Sequence, residues 1–394
     1  MEFKKILTNQ RWGTMSWIAF RVCLLGLAVV LIMHGHPGNA LAQEAKQEEV
    51  KFEQNGQQYF ALGNVLVEAE DGGILFEAQN QTIWPLQPDE IQKREQITKP
   101  TKPLTRKQLA QEVLKELPRG FKVHETNHYI ICYNTSPAYA EWAGALFERL
   151  HRAFNNYWSR RDLDLEETPP LIACVFRDKK TYEAYGRKEL GPAIEKILGY
   201  YSFKTNRIAM YDLLEGRRTR SASQINSMLR TERTVATVIH EATHQIAFNS
   251  GLHQRYAAIP VWLSEGLAIY FESPDLSSSK GWKTIGKVNQ VRLQQFKKYS
   301  RQRDPDSLLS LVSADDRFHN TGLATEAYAE SWAFCYFLIR THPDEFAEYL
   351  KILQQKDPLG EDSPQDRIDD FVAAFDRPPQ AMNADMIKHL RRIR

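Results

Sequence analysis

The stretch TVATVIHEATHQIAF, residues 234–248, constrains the chain most. Val235, Ile239, Ala242 and Ile246 recur at helical spacing and mark a face that must be buried. Two histidines and a glutamate interrupt the apolar run as His240, Glu241 and His244. Residues four apart lie on one side of an α-helix, one turn from each other, so both imidazoles can point at a single ion. Glu241 sits beside that ion rather than on it, where a base for an activated water is needed. A helix that carries two surface histidines would not require such apolar flanks.

Two imidazoles leave a catalytic metal short of a ligand, because such sites commonly use three protein donors and keep one position open. The next acidic residue in an apolar helical setting is Glu265, in IPVWLSEGLAIYFE (259–272). Pro260 suits the start of a helix, and Gly266 permits close packing beside Glu265. The intervening NSGLHQRYAA is long enough for the chain to turn back. His253 in that loop is the rival third ligand, ranked below Glu265 because it lacks the H-x-x-G-x-x-H spacing of metzincins.

The flanking sequence suggests what surrounds this pair of helices. Residues 1–42 read as an export signal: Lys4, Lys5, Arg11 and Arg21 precede the apolar run 22–33, and Ala40-Leu41-Ala42 resembles a cleavage site. Twelve apolar residues are short for a bilayer span, so membrane attachment is expected only if this segment stays uncleaved. Residues 43–49 read as a flexible polar tail. From 50 to about 87, NVLVEA, GILFEA and TIWPL alternate with turn pairs such as Asn55-Gly56, as in a small antiparallel meander within a 43–95 unit. The proline-containing, basic stretch 96–107 reads as a linker.

A larger unit is expected over 108–360, with a helical segment over 361–394 packed on it. HYIICYN (128–134) and LIACVF (171–176) read as strands, and YYSF with RIAMY around Lys204-Thr205-Asn206 as a hairpin. Trp142, Leu146, Leu150, Phe154 and Trp158 mark the buried face of a long helix begun by Ser136-Pro137. Helices are expected around 223–249, 260–272, 324–340, 344–355, 365–375 and 380–393. Strands early and helices late imply an α+β fold. Cys132, Cys174 and Cys335 lie far apart among apolar neighbours and read as buried thiols. The formal net charge is +2 with signs interspersed, so no basic face invites nucleic acid.

HEATH followed by WLSEGLA resembles the gluzincin metallopeptidases, in particular the secreted bacterial peptidase-MA-like family, frequently described only as a domain of unknown function. YIICYNTSPAYAEWAGALFERLHRAF and AYAESWAFCYFLI extend the resemblance over roughly 120–356. It implies a zincin-like domain in which His240, His244 and Glu265 bind one Zn²⁺ and Glu241 is the catalytic base. Gluzincins often place an oxyanion donor on a later helix, and Tyr328 is the candidate here. A polypeptide substrate follows from the same resemblance. A zinc hydrolase acting on a non-peptide envelope amide, or a non-catalytic zinc-containing binding module, are the competing readings. Glu241 argues against the latter, because a structural site needs no base.

Overall fold

The computed structural model describes residues 47–98, 101–163, 165–214, 221–229, 234–272 and 285–393. The export-signal segment lies outside them. The chain divides into two compact units, with the boundary between Thr105 and Arg106.

The first unit is a five-stranded antiparallel sheet of β1 (Gln47–Gln54), β2 (Gln57–Glu68), β3 (Ile74–Ala78), β4 (Ile83–Leu86) and β5 (Ile91–Gln96), ordered β4-β3-β2-β1-β5. Asn55 and Gly56 both adopt positive φ, which is how the tight β1–β2 turn matches the strand twist. Val50, Phe52, Ile74 and Phe76 bury one face. The tail expected over 43–49 is corrected at Gln47, where β1 begins. Its glutamates are tolerated because β1 lies between two strands and Glu48 meets Arg94 of β5 at 2.8 Å. Strand β5 itself was not expected, since IQKREQ has little apolar content.

The second unit opens with α1 (Arg106–Glu116), β6 (Lys122–Glu125), β7 (Tyr129–Tyr133), α2 (Pro137–Ser159), β8 (Leu171–Phe176), α3 (Lys179–Leu190), β9 (Gly199–Ser202) and β10 (Arg207–Tyr211). Helix α1 begins inside the stretch read as a linker. Arg106 is recruited because its guanidinium donates to the Thr126 and Tyr129 carbonyls at 2.9 and 2.8 Å. The sheet order is β6-β7-β8-β10-β9, with β7, β8 and β10 parallel and β9 an antiparallel edge. Ser136 caps α2 by accepting from the Tyr139 N–H, and the Trp142–Trp158 stripe is buried as the spacing requires.

Helices then follow to the C-terminus: α4 (Ala222–Leu229), α5 (Thr234–Asn249), α6 (Val261–Phe271), α7 (Gln290–Tyr299), α8 (Ser307–Ser313), α9 (Asp316–His319), α10 (Ala324–Thr341), α11 (Pro343–Gln354), α12 (Pro364–Phe375) and α13 (Asn383–Arg391). The fold is α+β, as the element order suggested. The helix expected over 223–249 is instead two elements, α4 and α5, and residues 230–233 between them lie outside the described set. The three cysteines are free and buried.

Candidate metal centre

Helices α5 and α6 pack against each other and build the site. Every residue of α6 is buried, so its one carboxylate, Glu265, is aimed into protein rather than solvent. The start of α6 is fixed from a distant segment: Asp315 Oδ1 accepts from the Val261 N–H at 3.1 Å. Helix α6 is in turn crossed by α10 at Gly266. A Cβ built there would lie 2.3 Å from Cys335 Sγ and 2.7 Å from the Ser331 carbonyl oxygen, so only glycine allows the approach.

The crossing brings the three ligand candidates together. His240 Nε2 lies 3.1 Å from His244 Nε2 and 3.1 Å from Glu265 Oε2, and His244 Nε2 lies 3.5 Å from Glu265 Oε1. Their donor atoms all fall within 4.8 Å of one another. Neither Glu265 oxygen accepts a hydrogen bond, although both are buried. Buried acceptors are normally satisfied, and a carboxylate left facing two imidazole nitrogens fits a cation between them. The set could hold a metal ion, and it is the only such group among the described residues.

The charges respond to this crowding. Burial works to raise the Glu265 carboxyl, but His240 and His244 overcome it and hold the pKa at about 2. Burial opposes charge on His240 too, yet Glu265 carries that imidazole well above its ordinary value. The cluster therefore retains an anionic glutamate.

Two further side chains orient the ligands, and sequence reasoning did not single them out. Ser264 Oγ lies 3.2 Å from His244 Nδ1, and Glu272 Oε2 lies 3.6 Å from His240 Nδ1. Such contacts to the second ring nitrogen fix the ring and leave Nε2 for the metal. Glu272 follows Glu265 by two helical turns in sequence, a spacing that could have revealed it.

Glu241 lies outside the ligand set. Its Oε2 accepts from the Tyr201 N–H of edge strand β9 at 2.9 Å. Burial raises its pKa, as does the Glu265 charge, while His240, His244 and the Tyr201 hydrogen bond counteract. The hairpin is locked to α5 by Gln245, whose Nε2 donates to the Ile172 and Asn206 carbonyls at 3.0 and 2.8 Å. Asn249 Nδ2 adds a bond to Asn206 Oδ1 at 2.7 Å.

Tyr328 sits on α10 one turn before Ser331, next to the crossing with Glu265. It is close enough for the Glu265 and Glu241 charges to act on its phenol, although burial is the main reason its pKa is raised. The rival ligand His253 is not part of the cluster. It is buried against the Phe248 ring, with centroids 5.3 Å apart, and neither ring nitrogen has a hydrogen-bond partner. Burial pushes its pKa down to about 3.

Fold and site together define an α+β protein with a His-His-Glu metal-ion arrangement. A family model described as "Protein of unknown function (DUF1570)" matches residues 234–360, which contain all three ligand candidates, Glu241 and Tyr328. No curated protein matches the chain.

Proposed function

We propose that the protein is an exported zinc metallopeptidase of the gluzincin type. The observation that supports this best is Glu241: a buried carboxylate beside the ligand cluster, excluded from it, and held by the Tyr201 N–H. Two imidazoles and a carboxylate are a donor set that catalytic zinc uses. A structural zinc ordinarily takes four protein donors, and the described residues supply three.

When bound, zinc supplies Lewis acidity at the scissile carbonyl and to water. Glu241 has one carboxylate oxygen anchored on Tyr201 and the other available to accept the proton from the attacking water. It then delivers that proton to the leaving amine nitrogen, so base and acid are one residue acting in turn. Tyr328 donates a hydrogen bond to the oxyanion as it develops. His240 and His244 are kept in position by Glu272 and Ser264.

Digestion of a broad peptide library by the zinc-loaded chain, read by mass spectrometry, tests this function. Cleavage that disappears in Glu241→Gln is the expected result. No cleavage of any peptide by the wild type would remove the peptidase assignment.

A further inference from the structure

Both oxygens of Glu189 hold the strand that touches the base. Glu189 lies in the last turn of α3. Its Oε1 accepts from Ser202 Oγ at 2.5 Å, and its Oε2 accepts from Tyr200 OH at 3.3 Å. Side chains alternate across a strand, so Tyr200 and Ser202 share one face of β9 and Tyr201 takes the other. The Tyr201 ring stacks on Phe248 of α5 with centroids 6.1 Å apart, and its hydroxyl donates to Asn206 Oδ1 at 2.7 Å. Its backbone N–H is the donor to Glu241 Oε2. The residue that meets the base is therefore bracketed by the two that end on Glu189.

The place of β9 in the sheet gives this bracket its meaning. The strand has four residues and forms the outer edge, paired with β10 alone. The Tyr201 N–H is donated outside the sheet, so the distance from β9 to α5 is set by what holds the strand from its sides. Helix α3 comes directly against it: a Cβ on Gly186, one turn before Glu189, would lie 3.2 Å from Tyr200 Cε1. The turn toward β10 uses the same contact, because Ser202 Oγ also accepts from the Thr205 N–H at 3.1 Å. Burial raises the Glu189 carboxyl, and the Ser202 hydroxyl leads the interactions that counteract it. A carboxylate in such a position must be hydrogen-bonded, where an apolar side chain would pack without that demand. The carboxylate adds two directed contacts that an apolar group does not make.

We infer that Glu189 is a positioning residue for the base: by holding Tyr200 and Ser202 it sets β9 where the Tyr201 N–H meets one oxygen of Glu241. The inference rests on the peptidase reading. Glu189 acts through the strand. With one oxygen of Glu241 anchored, the other stays in a fixed direction to take a proton, and small misplacements of such a group are costly to turnover. A purely structural Glu189 would affect stability alike whether or not residue 241 can act as a base.

The test uses the full chain, zinc-loaded, with two readouts. The first is a double-mutant cycle on peptide hydrolysis. Glu189→Ala should lower kcat by about tenfold to hundredfold with zinc content retained. Glu189→Gln, which keeps an acceptor for Ser202, should restore most of that loss. In the Glu241→Gln background, Glu189→Ala should change the residual turnover by less than about twofold, because no base is left to position. The second readout is hydrogen–deuterium exchange, resolved to the Tyr201 amide by fragmentation mass spectrometry, and it needs no substrate. Glu189→Ala should speed that exchange by about tenfold while the amides of α2 keep their wild-type rates. If Glu189→Ala does not fold, Tyr200→Phe combined with Ser202→Ala removes the same two contacts from the strand side and should give the same pattern. Unchanged turnover in Glu189→Ala, an equal fall in both backgrounds, or a Tyr201 amide that exchanges at the wild-type rate would overturn the inference. Hydrolysis by the wild type together with any of those results leaves the peptidase reading standing and removes the positioning role. No hydrolysis by the wild type, with faster Tyr201 exchange in Glu189→Ala, removes the peptidase reading and leaves Glu189 as the residue that holds Tyr201 against Glu241.

Discussion

Gly266 and Cys335 meet so closely that a single added methyl group would come 2.3 Å from the sulfur. This contact sets the height of Glu265 above His240 and His244, because the glycine is its immediate neighbour on α6. Gly266→Ala should therefore cost about 1–3 kcal/mol of stability, as overpacking does in a filled core. It should also weaken zinc binding by displacing the carboxylate. Thermal denaturation and competition with a chelator measure the two effects. Cys335→Ala in the same chain should recover part of the loss, but not all, since the Ser331 carbonyl oxygen also stands in the way.

Glu241→Gln separates base from ligand. The amide keeps the shape of the side chain but cannot take a proton at neutral pH. Zinc content should remain that of the wild type while peptide hydrolysis falls by ~10²–10⁴, the usual worth of general-base assistance. Substantial turnover by the zinc-loaded variant would exclude Glu241 as the base. Tyr328→Phe should lower turnover with zinc retained, because it removes only a hydrogen-bond donor to the oxyanion.

Ser264→Ala and Glu272→Gln should each leave the fold intact and weaken zinc binding by about 10–100-fold, the usual effect of losing a group that orients a ligand. Titration against a competing chelator gives the constants. Unchanged affinity in both variants would show that packing alone holds the imidazoles.

His151 provides a pH dependence remote from the metal. Burial, with His128 beside it, pushes its pKa from 6.5 to about 4, while Glu148 acts in the opposite sense. The folded chain therefore prefers neutral His151. Its stabilising contribution is complete above pH 6.5. It declines between pH 6.5 and 4 as the unfolded chain binds a proton that the folded chain does not, and it declines no further below that. The slope approaches about 1.4 kcal/mol per pH unit at most. Denaturant titrations across this window should show a shallower decline in His151→Gln, which can still hydrogen-bond Thr168. Parallel curves would contradict the shift.

The site was legible in the sequence where its chemistry is local. His240, Glu241 and His244 share one helix, and Glu265 stands alone among apolar residues on the next. Gly266 was readable for the same reason. Tyr201 was not, because its significance depends on an edge strand brought to α5 by tertiary packing. Ser264 escaped notice as a short polar residue beside a more conspicuous glutamate. Elements with weak apolar periodicity were missed as well: α3 buries only the side chains of Tyr182 and Leu190 and α7 only those of Leu293 and Phe296, so their polar faces hid the helical pattern. Strand β1 was partly obscured because its first three residues, Gln47 to Glu49, read as a polar tail.

The most direct test of the centre is metal stoichiometry. Purified full chain is stripped with a chelator, re-equilibrated with zinc, freed of excess and analysed by inductively coupled plasma mass spectrometry, alongside His244→Ala and Glu265→Ala. The expected result is one zinc per chain in the wild type and a small fraction of that in either variant, with circular dichroism showing that both remain folded. Full zinc occupancy in folded His244→Ala and Glu265→Ala would contradict a metal centre built from His240, His244 and Glu265.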